Sequence, residues 1–582
     1  MLLYKYNKRN FLREEKLMGK KVLVVGGVAG GATVAVRQRR LDEHSEIIMF
    51  EKGPNISFSN CALPYYLSDV VDTKDKLIIM DPVKMYNQFR IESRVFNEVT
   101  KIDREKKEVE VKNLQTGETY RESYDKLVLS PGASPVVPPF EGLDKVNYFT
   151  VRNVDDIVRL KTFIEKKARN VSVIGGGFIG IEVAENLKDA GYNVTLIEAM
   201  NQVMQPFDYD MVQTIHKEIY DNGIELLLED PVDKFEENTV VLGSGKKIPA
   251  DAVVMAIGVR PETKLAEEAG LEIGETRSIK VDHNYLTNDK DIYAIGDAIE
   301  VHHKLTGKIT RLALAGPAHL QARAVADHMN GKSVRQNGVI ATSAIKVFSI
   351  NGASTGLNEK MLANMDISYD VAKISARDKI GPMPDSEMMH LKVIFEKPSG
   401  RILGAQALGK GNVDKRIDVI ATVIHFNGNL EDLKELELSY APPFGTANDI
   451  VNIAGMTGLN ILENAFKQVP VSEVRRLVEE GAFIVDVRGK AGYDSGHIKG
   501  AINIPLGEFR DRMDEIPKDQ PVYFHCGVGK QSYNVLLALQ QRGYDNLINI
   551  AGGYIGLSHY EYFRNRTTDQ ENIMTGYMWM MG

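Results

Sequence analysis

A chain of 582 residues, 43% hydrophobic and 26% charged, is long enough for roughly three to five globular domains. Its formal charge of -8 excludes a broad basic field for nucleic acid or anionic membrane, and no apolar run of about 18 residues marks a membrane span, so small-molecule partners are expected. Two cysteines, Cys61 and Cys526, are too few for a disulfide framework; a reducing cytoplasm fits, and each sulfur invites a chemical reading.

Met1 to Lys20 is charged and lacks the apolar core of a secretory signal, and Met18 offers a second start just before the first strand. Lys21 to Val25 is a β-branched run that enters Gly26-Gly27-Val28-Ala29-Gly30-Gly31, followed by a small-residue helix from Ala32. Strand, glycine turn and helix N-terminus together suit a pyrophosphate, because the backbone can come close and unpaired N–H groups point at it. Gly26 and Gly31 take the first and third glycine positions, and Val28 the middle one. The next strand, Ile47 to Phe50, ends in Glu51, about 20 residues on, where a carboxylate can accept a ribose hydroxyl's hydrogen bond.

Ser57-Phe58-Ser59-Asn60-Cys61-Ala62-Leu63-Pro64-Tyr65-Tyr66 follows. On the preceding helix Thr33, Arg37 and Arg40 are spaced to share one face, where guanidinium groups can clamp phosphates or simply face water. Val171 to Ile174 then repeats the first unit with a full match, Gly175-Gly176-Gly177-Phe178-Ile179-Gly180, and Val194 to Ile197 ends in Glu198. A carboxylate there repels a ribose 2′-phosphate and favours NADH, with NADPH possible.

Three more phrases, Leu127 to Ala133, Val253 to Pro261 and Ile292 to Asp297, complete an ordered series that resembles the flavin-dependent pyridine nucleotide-disulfide oxidoreductases over about residues 20–455. The resemblance implies an α/β chain of two Rossmann-like domains and an α+β dimerisation domain: FAD-binding parts at 19–150 and 266–335, an NAD(P)H domain at 151–265, dimerisation at 336–455. It implies FAD on Gly26, Val28, Ala29, Gly30, Gly31, Glu51, Lys52, Ser130, Gly132, Asp297 and Ala315, and NADH on Gly175, Gly177, Phe178, Ile179, Gly180, Glu198 and Gly258. It also implies a homodimer, and function for Tyr440 in the proline-broken loop Ser439 to Gly445.

Many members hold a redox pair of cysteines close in sequence; here Cys61 stands alone. A lone thiolate can attack a substrate disulfide or persulfide and retain half of it, or be oxidised to sulfenic acid. Ser57 to Tyr65 looks like the coenzyme A reductase version, which implies coenzyme A on Thr33, Arg37, Arg40, Ser57, Asn60 and Arg90. Where the family often has Tyr-Tyr-Pro-Gly, this chain has Gly381-Pro382-Met383-Pro384, which leaves Tyr440 as the remaining tyrosine. A persulfide substrate suits that loss, since hydrosulfide is a good leaving group.

Residues 456–467 read as a linker, Val471 to Glu480 as a helix, Phe483 to Arg488 as a buried strand, and Gly496 to Pro505 as a loop. Strand Val522 to His525 ends at Cys526, and the loop Cys526 to Ser532 precedes a helix from Tyr533 to Gln541. Such a loop can turn N–H groups around one anionic sulfur. This stretch resembles a rhodanese domain over about residues 468–566, with Gly527, Val528, Gly529, Lys530 and Gln531 in its active loop; a tail covers 567–582. The family's loop arginine is absent, so the sulfur donor stays open. The expected activity is FAD- and NADH-dependent reduction of CoA-persulfide, polysulfide or CoA-disulfide through a Cys61–coenzyme A mixed disulfide, fed by Cys526, with no metal. The alternatives are an NADH oxidase or peroxidase, and a sulfur-carrier or redox-sensing protein.

Overall fold

The computed structural model describes residues 19–335 and 337–580. The expected extension 1–18 with its alternative start, and the last two residues of the tail, lie outside the described residues. By contacts the chain forms two compact units. One holds the described residues up to Gly175 with Asn186–Val194 and Val232–Val339; the other holds Gly176–Glu185, Thr195–Pro231 and the described residues from Ile340 onward.

In the first unit five parallel strands lie in the order Ile292–Ala294, Lys126–Leu129, Lys21–Val25, Glu46–Glu51, Glu92–Val95. Both faces of such a sheet are covered, which is why Val22, Leu23, Val24, Leu127 and Val128 are fully buried runs. The chain leaves the central strand to one side and returns on the other, opening a crevice at the strands' carboxyl ends. Helix Ala29–Leu41, which starts three residues before the expected Ala32, lies along helix Ala315–Met329 and is tied to it by Arg37 and Asp327.

The second unit contains an antiparallel sheet in the order Ser343–Val347, Ile350–Gly356, Ile402–Gly409, Met388–Glu396, Tyr369–Arg377. It also holds a parallel sheet in the order Lys467–Val469, Leu547–Ile550, Val522–His525, Phe483–Asp486, Ile502–Asn503. Among the described residues no helix is long and apolar enough to cross a membrane.

Three expectations change. Residues 456–467 are not an irregular linker: helix Ile450–Leu462, capped by Asp449, covers the first seven of them, and after a turn at 463–466 strand Lys467–Val469 begins. Gly455 and Gly458 make that stretch look loose, but they let the helix sit against the Lys434 backbone and the Leu430 side chain. The loop Gly496 to Pro505 contains the paired strand Ile502–Asn503. Past helix Gly553–Thr567 the expected tail packs inward, with Ile573 and Met574 buried and Trp579 stacked on Tyr577.

Candidate active sites

The two glycine turns are wired alike. Glu51 accepts from Gly27 N–H at 2.9 Å and Gly53 N–H at 2.8 Å; Glu198 accepts from Gly176 N–H at 2.7 Å and Met200 N–H at 2.9 Å. In both, a residue with positive φ donates back to the turn at 2.8 Å, Ser57 to Gly27 O and Met204 to Gly176 O. Each strand-end carboxylate therefore already shapes its turn. A Cβ on Gly31 would stand 1.8 Å from Gly26 O, so that position needs glycine. A Cβ on Gly177 would meet nothing within 4 Å, which leaves that face of the second turn open.

A cavity of about 480 Å³ in the first unit brings together Gly26, Val28, Ala29, Gly30, Glu51, Lys52, Asn60, Ser130, Gly132 and Asp297. Gly31 and Ala315 are not in its wall; Ala318, one helical turn past Ala315, is. Burial pushes the Asp297 carboxyl above its ordinary range, and Arg152 opposes this. Arg152, not singled out in the sequence, lines the cavity and donates to Ser134 Oγ at 2.7 Å.

Cys61 is exposed in the 3-10 turn Asn60–Ala62, one residue from the cavity wall. Its segment is anchored at Ser57, whose N–H reaches Gly27 O and whose carbonyl accepts from Ile79 N–H at 2.8 Å. Of the coenzyme A set, Thr33 Oγ1 contacts His319 Nδ1 at 2.7 Å, and Arg37 Nη2 donates to Asp327 Oδ1 at 2.6 Å. Arg40 lies over Phe89 and Arg90 over Tyr86, with guanidinium carbons 5.8 and 5.1 Å from the ring centres. The neighbouring Arg39 is buried and donates to the carbonyls of Phe89, Arg90, Asp42 and Glu43, fixing the loop that carries Arg90.

In the second unit, Phe178 opens helix Phe178–Asp189 after Gly177, with Ile179 exposed and Gly180 buried; Gly258, in the first unit, has φ +110°. Glu182, unmarked in the sequence, is pushed up to about 7 by burial and by Glu185. Tyr440 is half-exposed in an irregular loop. Asp208, Asp210 and Glu359 converge on Lys392 Nζ, at 2.9 Å from Asp208 and 2.8 Å from Asp210. Burial opposes the Lys392 charge, but these carboxylates hold its proton well above the ordinary range.

Cys526 is 1% exposed at the end of strand Val522–His525. The expected loop Cys526 to Ser532 is shorter, because Gly529 adopts a left-handed cap with φ +96° and helix Lys530–Gln540 starts at once. This turns Ser532 inward and leaves Lys530 and Gln531 exposed, with Val528 partly so. Gly529 N–H donates to Cys526 Sγ at 3.1 Å. The next helix, Gly553–Thr567, braces the loop from below: Tyr554 N–H donates to Cys526 O at 2.8 Å and Ile555 N–H to Gly527 O at 2.9 Å. The helix from Lys530 thus starts at the sulfur, while the first N–H groups of the helix from Gly553 hold the loop's carbonyls. Burial pushes the adjacent, fully buried His525 imidazole below its ordinary range, with Asp486 opposing; Asp486 is held by Arg488.

Profiles of known families match three stretches: "Pyridine nucleotide-disulphide oxidoreductase" over residues 20–322, its dimerisation domain over 342–449, and "Rhodanese-like domain" over 470–559. A coenzyme A disulfide reductase of Staphylococcus epidermidis is 36% identical over 442 residues, covering 75% of this chain and 99% of that protein. The solved reduced CoADR-RHD of Bacillus anthracis is 45% identical, with a TM-score of 0.91 over 94% of this chain and 99% of that one. An NAD-dependent persulfide reductase from A. fulgidus is 33% identical, with a TM-score of 0.88 over 92% and 99%.

Proposed function

The chain belongs to the pyridine nucleotide-disulphide oxidoreductase family, and from that premise we propose that it reduces CoA-persulfide or CoA-disulfide with NADH, fed with sulfur by its own rhodanese-like domain. The observation that carries the reading is the cavity whose wall joins the first glycine turn, Glu51, Ser130, Gly132 and Asp297 to Asn60, the residue before exposed Cys61.

That wall fits FAD: Glu51 stands at the strand end where a ribose would lie, and the Asp297 carboxyl in the same wall can accept from the hydroxyls of a polyol. When bound, FAD supplies two-electron transfer between reduced nicotinamide and sulfur. Gly175, Gly177, Gly180 and Glu198 receive NADH, Glu198 disfavouring a 2′-phosphate. Arg40 and Arg90 hold coenzyme A phosphates, with Arg37 shared between them and Asp327. The Cys61 thiolate attacks the coenzyme A sulfur of CoA–S–SH, the sulfane bond breaks, and hydrosulfide leaves; Cys61–S–S–CoA remains. Two electrons from NADH and one proton then restore the Cys61 thiolate and free coenzyme A thiol.

The matched dimerisation domain supports a homodimer, and two cysteines in the whole chain support a cytoplasmic setting. Cys61→Ser is expected to abolish NADH-dependent sulfide release from CoA-persulfide; retained release overturns the reading. Faster NADH consumption with oxygen or peroxide than with either coenzyme A substrate favours an oxidase instead.

A further inference from the structure

Ser532 and Asn549 are both buried beside Cys526. Ser532 Oγ lies 2.7 Å from Asn549 Oδ1, 3.0 Å from Gly529 O and 3.7 Å from Cys526 Sγ. A hydroxyl has one proton, so it serves one of these acceptors at a time. While Sγ is neutral, in a thiol or in the inner position of a persulfide, the amide oxygen holds that proton at the shortest distance. When negative charge collects on Sγ the balance reverses, since hydrogen bonds to ions are about twice as strong as neutral ones. Ser532 then turns its proton to sulfur, and Asn549, rotated half a turn, presents its NH2 group to the hydroxyl oxygen. The amide nitrogen already faces the loop, 3.7 Å from where a Cβ on Gly529 would stand. Both charge states thereby keep the buried polar groups bonded, which no apolar replacement allows. The partners are held for this exchange: Ser532 in the first turn of helix Lys530–Gln540, Asn549 on a strand paired with Phe524.

We infer that Ser532 is a catalytic residue that donates to the Cys526 thiolate as it forms during sulfur delivery, with Asn549 as its positioning residue. This rests on the proposed sulfurtransferase role of Cys526. In that delivery the coenzyme A thiolate attacks the outer sulfur of Cys526–S–SH. The sulfane bond breaks, CoA–S–SH forms, and the electron pair departs on Cys526 Sγ, with no net oxidation. A hydrogen bond that strengthens only as charge develops accelerates the step rather than tightening binding.

The test preloads the full-length protein with glutathione persulfide, removes the excess, and follows discharge of Cys526 to coenzyme A in a single turnover by mass. Ser532→Ala is expected to slow discharge about tenfold while the coenzyme A concentration giving half-maximal rate stays within about twofold. Ser532→Thr, which keeps the hydroxyl, is expected to recover most of the rate. Asn549→Asp, which can only accept and so retains the Ser532 proton, is expected to reproduce the loss even if Ser532→Ala fails to fold. Wild-type discharge rates in Ser532→Ala or in Asn549→Asp, or a threonine variant no faster than alanine, overturn the inference. A wild-type Cys526 that never gains a sulfur atom overturns the sulfurtransferase reading with it.

Discussion

The two cysteines live in opposite surroundings. Cys61 is exposed on a three-residue turn with no buried member, anchored by backbone bonds at Ser57. Cys526 is sealed between a strand and two helix N-termini, its sulfur and its carbonyl each held by an N–H group. The contrast teaches that the two surroundings suit the two cargoes proposed for them. A sulfur that takes half of a coenzyme A-sized molecule needs open room and a cationic approach. A sulfur that carries one extra atom needs only a small, rigid, polar nest.

The strongest way to break this division is to remove each sulfur in turn. Cys526→Ser is expected to lower sulfur transfer from a persulfide donor by a factor of about 1,000 or more while leaving NADH-dependent reduction of supplied CoA-persulfide; Cys61→Ser does the reverse. Parallel assays of the two half-reactions check it, and a variant that loses both contradicts the division. Within the buried site the two glycines around Cys526 should differ in what they tolerate. A Cβ on Gly553, at φ +59°, would stand 2.7 Å from Cys526 O, whereas one on Gly527 would meet nothing within 4 Å. Gly553→Ala is therefore expected to cost about 2–4 kcal/mol and most sulfur transfer, and Gly527→Ala under about 1 kcal/mol, as read by thermal melting.

Acid should separate the two regions. Helix Gly553–Thr567 packs His559 against His390, and Phe563 against His216. Burial lowers all three imidazoles, His216 to about 3 and His390 to about 4, with Lys373 adding to the effect at His390; Lys217, Lys373 and His390 add to it at His559. Unfolded, each binds a proton near 6.5; folded, it does not. Their stabilisation is full above that pH and is lost as pH falls below about 6.5, toward 4 for His390 and toward 3 for His216, at up to about 1.4 kcal/mol per pH unit for each group. Trp579, the only tryptophan in the chain, lies 5.1 Å from His559 and reports the loss by fluorescence. The smallest effect belongs to the open site: Arg40→Ala is expected to raise the KM for CoA-persulfide about three- to tenfold, because one exposed charge–phosphate contact is worth little over 1 kcal/mol.

What could be read from the sequence follows from the range of the forces involved. The glycine turns, Glu51 and Glu198 were legible because backbone approach and a strand-end carboxylate leave local marks. The length of the Cys526 loop was not, since no side chain caps helix Lys530–Gln540 and Gly529 does so by its backbone alone. The helix through 456–462 was hidden by glycines whose purpose is a distant contact with Leu430. The contacts of Arg39 with Arg90, of Arg152 with Ser134 and of Ser532 with Asn549 join residues remote in sequence, so no local pattern announces them. The inward packing of the tail depends in the same way on Gly496, His497 and Tyr554.

The most direct test is a mass measurement of Cys61-containing peptide from protein quenched without reductant after exposure to CoA-persulfide in the absence of NADH. The account predicts one coenzyme A adduct on Cys61, released as coenzyme A when NADH is added. A Cys61 that gains only oxygen, or that stays unmodified while sulfide is released, contradicts it.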